Sequence, residues 1–144
     1  MNRARSLISP YFFKYSLVGI IGLIVDLGLF NLLALTTNYD SDPIFPAIAK
    51  SLSVLTSMVV VFFFNQSFTF RDVNFSFSGK SRFGLYWISQ AIGFALVITP
   101  FLVARYLLNF DSLLVDNISG GVIGPAIAFI FRYWFSRKFT FSGK

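Results

Sequence analysis

Asp26 is the only charged residue between Lys14 and Asp40, inside the apolar run GLIVDLGLF at 22–30. Three cations, Lys50, Arg105 and Arg132, are set in similar apolar stretches, and Asn65, Gln66, Arg137 and Lys138 stand where two such stretches end. Ionised groups in such surroundings are costly unless they face one another, a bundle interior or a wet cavity. What these residue types do well is recognise charge. Arg and Lys beside amide and hydroxyl donors suit a phosphate ester, held by charge-assisted hydrogen bonds, although an ordinary basic and aromatic belt would have the same composition. Bond-making chemistry fits poorly. The chain has no His, Cys or Glu, which removes imidazole acid–base catalysis, thiol metal sites and disulfides. No Gly-rich loop precedes a soluble helix to cradle a phosphate. The residues therefore read as those of a non-enzyme, with no catalytic residue, metal or cofactor.

The elements that must carry these groups are membrane helices. Of 144 residues 56% are hydrophobic and 12% charged, with a mean hydropathy of +0.72; a soluble domain is roughly 25% charged. Four apolar stretches, about 13–36, 46–67, 83–108 and 114–137, are each long enough to cross a ~30 Å hydrocarbon core as a helix. So short a chain has nothing polar with which to cover them. The first is too long, and carries an acid at its middle, for a cleaved secretory signal. Orientation follows from Lys and Arg. Nine of them (Arg3, Arg5, Lys14, Arg71, Lys80, Arg82, Arg137, Lys138, Lys144) flank the spans on one side, while the two opposite loops hold only Asp40, Asp42, Asp111 and Asp116. The expectation is an all-α, multi-pass protein of the cytoplasmic (plasma) membrane with four transmembrane helices. Both termini would be cytoplasmic, the basic face would lie on anionic lipid, and nucleic acid is not an expected partner.

The chain reads as one domain written twice. At an offset of 71 residues Phe12, Tyr15, Ile21, Gly22 and Phe30 recur as Phe83, Tyr86, Ile92, Gly93 and Phe101, NYDS (38–41) as NFDS (109–112), and FNQSFTF (64–70) as FSRKFTF (135–141). Repeat one then spans 12–70, a cytoplasmic linker 71–82, and repeat two 83–141. Two spans per copy make these tandem parallel two-helix repeats, unlike the inverted repeats common in transporters. In the fourth span Gly120 and Gly124 have GxxxG spacing and Ala128 extends the small face. That face is expected to pack on another helix, within the chain or across a dimer. Pro125 is expected to kink the span.

Counted inward from Lys14 at about 1.5 Å per residue, Asp26 lies some 18 Å deep, near the bilayer midplane. Three readings stand: a protonated acid, a carboxylate paired with a cation, or a structural hydrogen-bond acceptor. Lys50 and Arg105 sit about a turn from the outer surface and Arg132 about a turn and a half from the inner one, so each taken alone would snorkel. Together they form a polar track that a purely structural bundle does not need.

These residues resemble the GtrA-like family of small four-span membrane proteins. VGIIGLIVDL (18–27) is similar to the family's first-span pattern at Val18, Gly19 and Asp26. FFFNQSFTFR (62–71) is similar to its Phe-x-x-Asn-Arg-Arg-Trp-Thr-Phe signature at Phe62, Asn65, Thr69, Phe70 and Arg71, and YWFSRKFTF (133–141) to a second copy with Ser136, Arg137, Lys138 and Phe141. Gln66 and Ser67 replace the usual cations, Phe68 a common Trp, and Leu23 a small polar residue, so any headgroup clamp leans on Arg137 and Lys138. The resemblance implies export of sugars for cell-surface polysaccharide or teichoic-acid decoration. The substrate would be a polyprenyl-phosphate-linked monosaccharide, moved between leaflets in partnership with a glycosyltransferase. On that view Arg137 and Lys138 capture the phosphate, Arg132 carries it upward, Lys50 and Arg105 receive it, and Asp26 holds a cation or meets sugar hydroxyls. Asn65 would stand beside the clamp. One hairpin pair is narrow for such a path, so a homo-oligomer, a dimer or larger, is expected. The rivals are a non-transporting scaffold for a glycosyltransferase and a small multidrug-type exporter, which also carries an acid in its first span.

Overall fold

A computed structural model of the protein describes residues 3–69 and 80–135. The chain runs as α1 (Arg3–Thr36), α2 (Phe45–Phe64) continuing into a π-helical turn (Asn65–Thr69), and α3 (Lys80–Leu102) continuing into another (Val103–Leu107). The last span is α4 (Leu113–Ile118), a third π turn (Ser119–Ile123) and α5 (Gly124–Phe135). Four stretches, Phe12–Thr36, Phe45–Phe64, Trp87–Leu107 and Leu113–Phe135, are long and apolar enough to cross a membrane. They agree with the expected spans to within a few residues. The described residues are all-helical, without strand. The helices α1 and α3 start earlier than their apolar segments require, so α3 takes in Lys80 to Arg82 from the expected linker.

Local chemistry sets the ends. The α2 helix starts with Pro46 in its first turn, where a missing N–H costs nothing, and Asp42 Oδ1 accepts the Ile44 N–H at 2.8 Å. The third span ends at Asn109, whose φ of 55° is left-handed, a conformation Asn tolerates better than bulkier residues.

The α1 helix pairs with α2, and α3 with α5. Gly22 admits Val61 between the first two helices and Gly93 admits the Arg132 guanidinium between the second two; a Cβ at either glycine would overlap its neighbour. These two contacts are related by the 71-residue offset. The hairpins meet where Phe30 and Phe101, also 71 apart and both fully buried, pack edge to face at 6.0 Å between ring centroids. Arg105 reaches Asp40, which puts both helix-joining loops at one end of the bundle. The start of α1 and the end of α5 lie at the other.

The small face of the last span packs inside the chain. A Cβ on Gly124 would overlap the Val97 carbonyl, and one on Gly120 would come within 2.8 Å of Lys50 Cε and 3.0 Å of Phe101 Cβ. Ala128 is buried with Val54, Val97 and Ile98. Where a kink was expected at Pro125, the helix takes a π turn in the five residues ending just before Gly124. Such wide turns are a known way to absorb a break in the α ladder.

The packing is inside-out relative to a soluble bundle. Asp26, Lys50, Ser53, Arg105 and Asp116 are buried, whereas Ile24, Leu32, Leu35, Leu114 and Ile130 face outward. In lipid the apolar side chains need no burial, while polar groups must find partners within the protein.

Candidate anion-binding cavity and its polar pairs

Asp26 points into the bundle and is only 3% exposed. Its Oδ2 accepts a hydrogen bond from Lys50 Nζ at 2.7 Å and its Oδ1 one from Ser53 at 2.5 Å. Of the three sequence readings, pairing with a cation is the one the geometry bears out. Lys50 corrects the snorkelling expectation. Its side chain is 0% exposed and turns away from the nearer surface toward the midplane. Along the helices Lys50 lies about 8 Å from the loop end and Asp26 about 15 Å, and the flexible lysine stem covers the difference. The absent side chain at Gly120 makes room for that stem, and the ammonium lies 5.1 Å from the Phe30 ring centroid. A cation held by a carboxylate and an aromatic face is stabilised from two directions.

Beside this pair lies a cavity of about 460 Å³, within the ~300–1,000 Å³ range that takes small molecules. Asp26 lines its deep part, Ser57 on α2 its middle, and Ser16, Tyr15, Asn65 and Arg132 the part toward the chain termini. Arg132 lies against Gly93. The structure thus brings Asp26, Asn65 and Arg132 to one cavity and attaches Lys50 to it through Asp26. Arg137, Lys138 and nearly all of the 71–82 linker lie outside the described residues.

Arg105 stands apart, near the loop end, and it too is buried rather than snorkelling. Its guanidinium donates to Asp40 Oδ1 at 2.7 Å and to Asp116 Oδ2, and stacks 4.9 Å from the Tyr39 ring. The Tyr39 hydroxyl donates to Asp116 Oδ2 at 2.7 Å. Burial first, then that hydrogen bond and the negative charge of Asp116, push the Tyr39 phenol far above its ordinary value. Between the two ion-pair sites Asn31 and Asn117 exchange two amide hydrogen bonds, each 2.8 Å.

Comparison with known proteins comes to bear here. The model for the GtrA/DPMS transmembrane domain matches residues 14–141. The chain belongs to the GtrA/DPMS transmembrane-domain family. Neither the curated proteins nor the solved structures returned a match. GtrA/DPMS membership points to multi-pass membrane proteins of glycan-precursor translocation or synthesis, and GtrA domains are typically non-catalytic.

Sequence reasoning missed Ser53, Asp116, Tyr39 and the Asn31–Asn117 pair in this GtrA/DPMS domain. Asp116 had been placed in a loop, but it lies in α4 and is fully buried. The available signal was depth: Asp116 falls inside the last apolar run, at nearly the level of Arg105. Ser53 follows Lys50 by three residues and so shares its helix face, the one clue that it would join the pair.

Proposed function

We propose that this protein moves a polyprenyl-phosphate-linked monosaccharide across the cytoplasmic membrane, supplying a glycosyltransferase that decorates the cell surface. The observation that carries the reading is the charge arrangement of the cavity. Asp26 is held in an ion pair with Lys50, and the same cavity is lined by the Arg132 guanidinium together with the hydroxyl and amide groups of Ser16, Ser57 and Asn65. A guanidinium among hydroxyl and amide donors suits a phosphate and a sugar, and a carboxylate already paired with a lysine offers little to the organic cation that a multidrug-type exporter would carry. The cavity reaches mid-membrane from the end that holds the termini, which we take as cytoplasmic from the distribution of Lys and Arg. At the opposite end the Arg105–Asp116–Asp40 cluster and the Asn31–Asn117 pair supply a closed side. Residues of a single chain line the pocket, and the homo-oligomer expected from the narrowness of one hairpin pair stays part of this proposal.

The test is purified protein in liposomes with a short-chain prenyl-phosphoryl hexose. Wild type is expected to move the lipid between leaflets, and Arg132→Ala to slow it about tenfold, corresponding to ~1.4 kcal/mol. Absence of movement, with glycosyltransferase binding retained, would establish the scaffold reading instead. Dye resistance abolished by Asp26→Asn would favour the exporter.

A further inference from the structure

The cavity is not walled evenly. On α2 and α3 its lining side chains are buried, as Val54 and Val97 are, or half-buried, as Ser57, Met58 and Val61 are. On α1 and the last span the lining includes Ile20, Val122 and Ala126, which belong to the outer surface of the bundle as well; Ile20 and Val122 are each 54% exposed. The same side chains therefore bound the cavity and face the bilayer.

The last span meets α1 at two levels. Toward the termini, the Phe129 ring packs on Tyr15 (5.6 Å between centroids) and lies 3.7 Å from where a Gly19 Cβ would stand. Toward the midplane, Gly121 makes room for Leu27. Between Gly19 and Leu27 the helix advances about 12 Å, and that interval carries Ile20 and Leu23 opposite Val122 and Ala126. Its bounds fall beside the charged groups rather than away from them, with Asp26 at the Leu27 end and Arg132 at the Phe129 end of the same cavity.

We infer that the interval between α1 and the last span is a lateral portal through which the hydrocarbon chain of an anionic lipid remains in the bilayer while its head occupies the cavity. This rests on the proposed function for the identity of the head and adds the route and the tail. Three features fix the occupant. The walls of the interval are apolar and would leave a charged group unpaired; the cavity behind it holds the cation and hydroxyl groups that a phosphate and a sugar require; and the two spaces are continuous. Along α1 the distance from Gly19, at the Arg132 end, to Asp26 is about 10 Å. A pyranose ring with its phosphate spans that depth, so the phosphate lies toward Arg132 and the sugar hydroxyls toward Asp26. The head thus enters sugar first, and the tail trails out sideways.

The chain has no cysteine, so an introduced thiol gives an unambiguous reading. Leu23→Cys in phosphatidylglycerol/phosphatidylethanolamine vesicles is expected to react with a long-chain N-alkylmaleimide dissolved in the bilayer, and the added substitution Ala126→Trp to slow that reaction at least fivefold. Ala95→Trp, on an exposed position of α3 outside the cavity, is expected to leave it unchanged. Labelling unaffected by Ala126→Trp would overturn the portal whether or not the protein moves lipid. With the lipid-linked hexose, Ala126→Trp should cut movement at least tenfold, whereas Ala95→Trp should move the lipid as wild type does. Equal movement by Ala126→Trp and a wild type that does move the lipid would also overturn the portal. A wild-type protein that is labelled as expected but moves no lipid would sink the proposed function and leave the portal standing.

Discussion

Lys50 and Asp26 illustrate how one buried charge is tolerated because of another. Removing a single partner leaves an uncompensated ion in a low-dielectric interior, which typically costs about 3–5 kcal/mol, whereas replacing both by neutral groups of similar shape is often close to neutral. Lys50→Met is therefore expected to destabilise the protein by about that amount and Asp26→Asn/Lys50→Met to recover most of it. Thermal unfolding in detergent of the two single variants and the double variant measures the coupling. Tyr39 gives a pH dependence of definite sign. Its folded-state pKa is raised from 10.0, so the folded protein holds the phenolic proton more tightly than the unfolded chain. That contribution is complete below pH ~10 and is lost as pH rises beyond it. Tyr39→Phe should unfold more readily at neutral pH by about 1.5–3 kcal/mol, the range for a hydrogen bond to a charged group, yet lose less stability than wild type between neutral and strongly alkaline pH. Parallel alkaline melts check both parts.

At the scale of elements, glycines decide how closely helices approach. Gly124 places the last span directly on the Val97 backbone, while nothing lies within 4 Å of a Cβ built on Gly28. Gly124→Ala must push two backbones apart, and overpacking of that kind costs about 1–3 kcal/mol; Gly28→Ala should be neutral or mildly stabilising. Melting temperatures of the pair test this, and equal effects would contradict the close contact. Gly120 differs from Gly124 because one neighbour is the flexible Lys50 stem, so substitution there should disturb the ion pair before it separates the helices. The 71-residue offset maps Asp26 and Ser53 onto Val97 and Gly124, positions that also meet in the second hairpin. We propose that duplication left one copy of this crossing polar and closed the other by backbone contact.

For the whole molecule the consequence is a one-sided cavity. Near the loop end Arg105, Asp116, Asp40 and Tyr39 are engaged with one another, as are Asn31 and Asn117, whereas the cavity runs from Asp26 toward the termini. Ser57→Cys, midway along the lining, is expected to react with a membrane-impermeant thiol reagent from the side of the termini only. Reaction from both sides would require a continuous pore and contradict the closed loop end. Asp40, 74% exposed at its side chain while bonded to buried Arg105, is the most accessible member of the closing cluster.

The number of helices, their approximate ends and the cost of placing Asp26 among them were legible in the sequence, because hydropathy and helical rise act locally and need no partner. The family resemblance was likewise carried by local patterns at Val18, Gly19, Asp26 and Asn65. Which cation meets Asp26 was not legible. Lys50 and Arg132 both lay within reach of the midplane by residue count, and the choice depended on Gly120 leaving room for the Lys50 stem and Ser53 completing the carboxylate's shell. Arg105 turned to Asp116 and Asp40 for the same kind of reason: two residues far apart in the chain were brought to one depth by antiparallel helices. Pairing is settled by rotation of each helix about its axis, and that rotation follows from the packing of Phe30 on Phe101 and Gly124 on Val97, contacts between residues 71 and 27 apart in the chain, too distant in sequence for any local pattern to record.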